Sequence, residues 1–169
     1  MTIGLIGSGS WGTALVKILT DGQHPVHWCV RNARVMAHIE TRHHNPNYLS
    51  SVHFNTGLLR LSHDPAVILA ACDTVIIAIP SAYLLEQVKD IPATAFSGKN
   101  IVSAVKGILP GQNVLLNDYL QKGKGVPPER YFTIMGPCHA EEVAAEKLSY
   151  LTFSGTDEQA TEKLASRFR

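Results

Sequence analysis

The sequence predicts an α/β fold, a doubly wound and mainly parallel sheet with helices on both faces. Three observations predict it. Short apolar, β-branched runs alternate with helical patterns through nearly all 169 residues, the rhythm of strand–helix–strand units. Runs such as Val75-Ile76-Ile77-Ala78-Ile79 are apolar at every position, which marks strands covered on both faces. The first run, Ile3 to Ile6, breaks into Gly7-Ser8-Gly9-Ser10-Trp11-Gly12 before an apolar helical pattern through Leu15, Ile18 and Leu19. A strand, a glycine turn and a helix start, in that order, open a sheet of the Rossmann type.

Taken in order, strands are expected over Ile3–Ile6, Val26–Val30, Leu58–Leu61, Thr74–Ile79, Ile101–Ala104, Phe132–Met135 and Leu151–Phe153. Helices are expected to start near Trp11, Arg34, Pro65, Tyr83, Gln112, Ala140 and Asp157. Pro80, Gly107, Pro110 and Gly136-Pro137 punctuate the chain at the carboxyl ends of strands, where such sheets hold their ligands. Two segments break the rhythm. His43 to Thr56 reads as a polar loop, and Gln121 to Glu129, with Gly123, Gly125, Pro127 and Pro128, reads as a flexible connection.

The length suits one domain, residues 1–169, large enough to bury a core without disulfides. A net charge of +1 gives no general reason to expect nucleic acid or an anionic membrane as partner. No run is long enough to span a bilayer. Cys29, Cys72 and Cys138 are odd in number and far apart, as reduced thiols of a cytoplasmic protein would be. The chain ends at Arg169 inside an amphipathic segment (Ala160, Leu164, Ala165, Phe168), which reads as a cut within a longer protein.

The glycine turn carries the most chemistry. Gly7 permits the turn, Gly9 lets a pyrophosphate approach the backbone, and Gly12 lets the helix pack on the strand. The helix N-terminus then offers free N–H groups to the phosphates. Cofactor type is read at the end of the second strand, where a carboxylate would bind the ribose of NAD. Here stand Arg31 and Arg34, with no carboxylate until Glu40. A guanidinium suits a 2′-phosphate, so NADP is favoured and NAD remains open; the bland alternative is a solvated arginine.

Lys106, read as ending the fifth strand at its carboxyl end, is either a solvated lysine or an ammonium aimed into the ligand crevice. Gly136-Pro137-Cys138-His139-Ala140-Glu141-Glu142 repeats the strand–turn–helix plan. Cys138 or His139 there is a reactive group or, as the simpler reading, a buried thiol and a helix-opening histidine. Tyr48 and Tyr83 suit either ring stacking or packing. His24-x-x-His27 and His43-His44 lack Cys or carboxylate partners at zinc-site spacing, so no metal is expected.

Several separate pieces together resemble one family. The segments Gly7 to Leu15, Asn45-Pro46-Asn47-Tyr48-Leu49, Lys106-Gly107-Ile108 and Gly136 to Ala144 occur in the order seen in the bacterial NAD(P)-dependent glycerol-3-phosphate dehydrogenases. The resemblance covers essentially the whole chain. It implies reversible hydride transfer between NAD(P)H and dihydroxyacetone phosphate, a small phosphate substrate, giving sn-glycerol 3-phosphate for lipid synthesis. It implies cofactor contacts at Gly7, Gly9, Ser10, Trp11, Gly12, Arg31, Tyr48, Lys106 and Ala140, and substrate contacts at Lys106, Gly136 and Cys138. Cys138 stands where the family commonly has Ser or Thr, and His139 where it has an aromatic. The family's second, all-helical domain brings the catalytic lysine, so no catalytic residue is expected within these 169 residues and the segment alone is expected to be inactive. A homodimer is compatible with the resemblance. The rival readings are a related two-domain 3-hydroxyacid or ketoacid dehydrogenase and a non-catalytic NAD(P)-binding sensor domain.

Overall fold

The computed structural model describes residues 1–169. Seven strands form one sheet: β1 (Ile3–Ile6), β2 (Val26–Cys29), β3 (Leu59–Ser62), β4 (Thr74–Ile77), β5 (Asn100–Ser103), β6 (Tyr131–Met135) and β7 (Thr152–Gly155). Their order across the sheet is β3-β2-β1-β4-β5-β6-β7. The first six are parallel, and β7 pairs antiparallel with β6. The chain winds outward from β1 to β3, returns to β4, and winds outward again on the other side. That reversal opens a crevice between the carboxyl ends of β1 and β4, where doubly wound sheets bind their ligands.

Alternation along each strand divides the interior into two cores, one per face. Leu5, Trp28, Ile76, Val102 and Phe132 pack with Leu15 and Leu19 of α1 (Ser10–Asp21), Val35 and Ile39 of α2 (Ala33–Arg42) and Leu164 of α7 (Glu158–Ala165). Ile6, Val75, Ile77 and Ile101 face the other way. They meet Ile68 and Leu69 of α3 (Pro65–Ala71), Leu84 and Val88 of α4 (Ser81–Val88), and Leu116 and Leu120 of α5 (Leu116–Lys124). Side chains at successive strand positions point to opposite faces, so β-strands apolar throughout are what two cores demand. Helix starts are set by side chains: Asn32 accepts hydrogen bonds from the amides of Arg34 and Val35, Asp64 from Ala66, and Asp157 from Ala160.

The structure departs from the sequence reading in three places. The helix expected near Gln112 begins at Leu116, because residues 109–114 close a tight turn through a Leu109–Val114 bridge with Asn113 at φ +55°. Gln121 to Glu129 is not one flexible connection, since α5 runs through Lys124. There the ammonium is buried and donates to the carbonyls of Lys89 and Ile91. Lastly, β5 ends at Ser103, so Lys106 lies three residues beyond it in the following loop. The His43–Thr56 segment is a loop as expected, but it buries Asn45, Val52 and Phe54.

Candidate functional site

The crevice is built upward from the β1–α1 turn. Gly7 takes φ +127°, and a Cβ there would lie 2.3 Å from the Ala78 carbonyl oxygen, so only glycine lets β1 and the end of β4 close together. At Gly12 a Cβ would meet the Gly7 carbonyl oxygen at 2.4 Å, whereas a Cβ at Gly9 would meet nothing within 4 Å. Gly7 and Gly12 therefore serve packing, and Gly9 faces open space.

The amides of Ser8, Gly9, Ser10, Trp11 and Gly12 donate to no acceptor in the chain. Helix α1 has no side-chain cap and no acidic residue in its first turn. Five consecutive free N–H groups at the positive end of a twelve-residue helix make a receptor for an anion.

Two cavities flank the turn and share Gly9, Tyr48, Ala78, Ile79 and Pro80, making one continuous groove. The end over β2, about 250 Å³, is lined by Gly7, Ser8, Cys29, Arg31, Tyr83 and Gln87. The end over β4 and β5, about 460 Å³, is lined by Ser10, Trp11, Lys106, Cys138, His139, Ala140 and Glu141. Of the residues named from the sequence, Gly7, Gly9, Ser10, Trp11, Arg31, Tyr48, Lys106, Cys138 and Ala140 meet along this groove. Gly12 lies behind it. Gly136 does not line it either; its absent Cβ makes room for the Tyr150 carbonyl oxygen at 2.2 Å. Tyr48 and Tyr83 are 46% and 59% exposed, so each is partly covered and turns part of its ring to the groove. Another cavity of about 460 Å³, between α5 and β6, has no charged residue in its lining and shares none of its lining with the β1–α1 turn.

The charged groups at the two ends are free to act. Arg31 and Lys106 are both exposed, and neither is in an ion pair. Cys29 is buried below Arg31; burial first, then the Asp64 carboxylate, push its thiol up to about 12 despite the Arg31 charge. It stays neutral and acts as a packing group. Cys138 is half-buried and bonded: its thiol donates to the Tyr150 carbonyl (3.0 Å) and accepts from the Tyr150 amide (3.1 Å). The thiol thus ties the β6–α6 turn, where α6 is Ala140–Ala144, to the segment before β7. No three His, Cys, Asp or Glu side chains converge on a point that would hold a metal ion, and no helix is long and apolar enough to cross a membrane.

Two residues at the site escaped the sequence reading. The buried Trp28 indole donates to the Gly7 carbonyl at 2.9 Å, and the buried Asn45 amide donates to the Ser8 carbonyl at 3.0 Å and the Thr13 hydroxyl at 2.9 Å. Trp28 sits in a strand that already needed an apolar residue. Asn45 sits in a polar loop where asparagine is ordinary turn chemistry. Only its complete burial distinguishes it.

Comparison with known proteins gives a consistent result. Residues 2–161 match the family model described as NAD-dependent glycerol-3-phosphate dehydrogenase N-terminus. The glycerol-3-phosphate dehydrogenase [NAD(P)+] of Chlorobium luteolum is 30% identical over 175 residues, covering 100% of this chain and 52% of that protein. That of Corynebacterium aurimucosum is 31% identical over 145 residues, covering 86% of the chain and 43% of its relative. The crystal structure of the Coxiella burnetii glycerol-3-phosphate dehydrogenase superposes with a TM-score of 0.85 at 24% identity, over 99% of this chain and 50% of that one, and shows the same fold. The chain spans about half the length of the curated relatives it matches.

Proposed function

The chain belongs to the family of NAD-dependent glycerol-3-phosphate dehydrogenase N-terminal domains, and from that premise we propose that it is the NAD(P)-binding domain, residues 1–169, of an enzyme interconverting dihydroxyacetone phosphate and sn-glycerol 3-phosphate. The observation that carries this reading is the groove at the β1/β4 switch point, whose lining holds the free amides of Ser8, Gly9, Ser10 and Trp11 together with a free guanidinium at one end and a free ammonium at the other. When bound, the cofactor supplies or accepts the hydride. The amides at Gly9, Ser10 and Trp11 hold the pyrophosphate, with Gly7 and Gly12 setting the turn. Arg31 holds the adenosine end and its 2′-phosphate, which favours NADP without excluding NAD. Tyr48 covers the middle, where the two halves of the groove meet.

At the far end Lys106 touches both cofactor and substrate, and its charge offsets the negative charge that grows on the carbonyl oxygen as hydride arrives. Ala140 lies against the cofactor; Cys138 meets the substrate through the β6–α6 turn, whose backbone Gly136 shapes from behind the groove. The proton for the alkoxide is assigned to none of the residues that line this groove, so residues 1–169 are expected to bind cofactor without turning over substrate. Three unpaired thiols support a cytoplasmic location.

Calorimetric titration with NADPH and NADH tests the first half of this reading: binding of at least one is expected, and binding of neither overturns it. An assay of dihydroxyacetone phosphate reduction at saturating NADPH tests the second. Loss of acid–base catalysis alone is expected to slow the chain by about 10²–10⁴-fold, and turnover at an ordinary enzyme's rate overturns the assignment of the proton donor elsewhere.

A further inference from the structure

Five amides at one turn bind an anion only if the backbone holds them toward it. We infer that Asn45, seconded by Trp28, is the positioning residue of the phosphate turn: it fixes the Ser8 carbonyl inward and thereby aims the Gly9 amide into the groove. This rests on the reading of the turn as the cofactor site. The carbonyls of Gly7 and Ser8 are the only polar backbone groups of that turn drawn toward buried side chains, by the Trp28 indole at 2.9 Å and the Asn45 amide at 3.0 Å. In a trans peptide the C=O and the next N–H lie in one plane and point opposite ways, and the chain has no cis peptide. Pinning the Gly7 carbonyl inward therefore turns the Ser8 N–H outward, and pinning the Ser8 carbonyl does the same for the Gly9 N–H. Both residues line the groove.

The clamp is itself rigid. Asn45 is fully buried, its second contact is the buried Thr13 hydroxyl at 2.9 Å, and its own carbonyl accepts from the Asn47 amide at 3.0 Å. Asn47 precedes Tyr48, which lines both halves of the groove. One side chain thus joins the turn, helix α1 and the loop that carries Tyr48. A glycine turn freed from it has other peptide orientations open to it, and the pyrophosphate must then select among them. Affinity falls by the fraction of turns that are correctly oriented.

Calorimetric titration of NADPH into three forms of the chain tests this. Asn45→Ala is expected to weaken binding about tenfold, the scale of one buried hydrogen bond. Thr13→Val, which removes the other partner of the same amide but leaves the Ser8 carbonyl held, is expected to lower Tm yet keep Kd within about twofold. Equal losses in the two variants, or no loss in Asn45→Ala, overturn the clamp and leave Asn45 a stability residue. If Asn45→Ala does not fold, amide exchange in the unmodified chain decides. The Ser8 and Gly9 amides are expected to exchange freely without NADPH and to become protected at saturation; free exchange at saturation overturns the proposal. An unmodified chain that binds neither NADPH nor NADH takes down the functional reading itself, a result distinct from either failure of the clamp.

Discussion

The turn after β1 and the turn after β6 start from one plan. Each leaves a parallel strand through a glycine at positive φ, and each of those glycines makes room for a carbonyl of a neighbouring segment, Ala78 for Gly7 and Tyr150 for Gly136. Beyond that they diverge. The first leads into a twelve-residue helix with no acidic residue in its opening turn, and its carbonyls are pinned by buried donors. The second leads into five helical residues whose opening turn already holds Glu141 and Glu142, and its side-chain anchor is a half-buried thiol. A carboxylate at a helix N-terminus satisfies the dipole that an external anion would otherwise use. The same strand–turn–helix grammar therefore makes an anion receptor at β1–α1 and a side-chain-lined wall at β6–α6.

The sharpest way to break this contrast is to add a side chain to each turn. Gly9→Val is expected to abolish cofactor binding without changing Tm, since its branch enters open space that the pyrophosphate would occupy. The loss exceeds about 3 kcal/mol, because several charge-assisted hydrogen bonds of about 1.5–3 kcal/mol each go together. Gly136→Val is expected to do the reverse. Its strain at φ +156° and its collision with the Tyr150 carbonyl cost about 1–3 kcal/mol or more of stability. Paired calorimetry and thermal melts check both, and equal Tm losses in the two variants would erase the distinction.

The next effect in size concerns Lys106, which faces the β6–α6 wall across the groove. In the full-length enzyme Lys106→Ala is expected to lower kcat/KM by about 10²–10³, the 2.7–4 kcal/mol typical of a preorganised donor at a developing oxyanion. Cofactor affinity changes much less, and arginine restores only part of the rate. Steady-state kinetics near the parental values would return Lys106 to the solvated surface. At the opposite end, Arg31→Ala is expected to weaken NADPH by about 1.5–3 kcal/mol and NADH barely at all. Equal losses for the two cofactors, measured by titration, would show that Arg31 does not read the 2′-phosphate.

The thiols give the smallest effect. Burial pushes Cys29 up to about 12 and Cys72 up to about 11. A thiol reagent at pH 8 is expected to label Cys138 alone in the folded chain, more slowly with NADPH present, and all three after unfolding. Folding holds the two buried thiols protonated, so the stability they confer is complete below the ordinary value of 9.0 and is lost as pH rises toward their raised values. Denaturant melts at pH 8 and pH 10.5 check that sign.

Much of the contrast between the turns was legible in the residues. All seven strands and six of the seven helices start within two residues of where the sequence pattern put them, because strands buried on both faces leave little freedom in composition. The glycine spacing located the turn whose amides have no acceptor in the chain. What periodicity missed was local. The start of α5 turned on Asn113 adopting a left-handed conformation, and the continuation to Lys124 turned on an ammonium finding two carbonyls. Neither leaves an apolar pattern. Asn45 was hidden for the opposite reason: its residue type fits a surface loop, and only the three-dimensional path of residues 43–54 carries it under the turn.

The position of β1 also bears on how the chain reaches this state. The first of these seven strands in chain order lies between β2 and β4, and pairs Ile6 with Ile77, 71 residues later. At about 5–20 residues per second, a ribosome needs roughly 4–15 s to supply that second neighbour. For that time Ile3, Leu5 and Ile6, all buried in the finished sheet, have at most one edge satisfied. Contacts of such wide sequence separation make folding slow and expose sticky edges in the interval. The strand that ends in the glycine turn is thus the one that waits longest for its second neighbour.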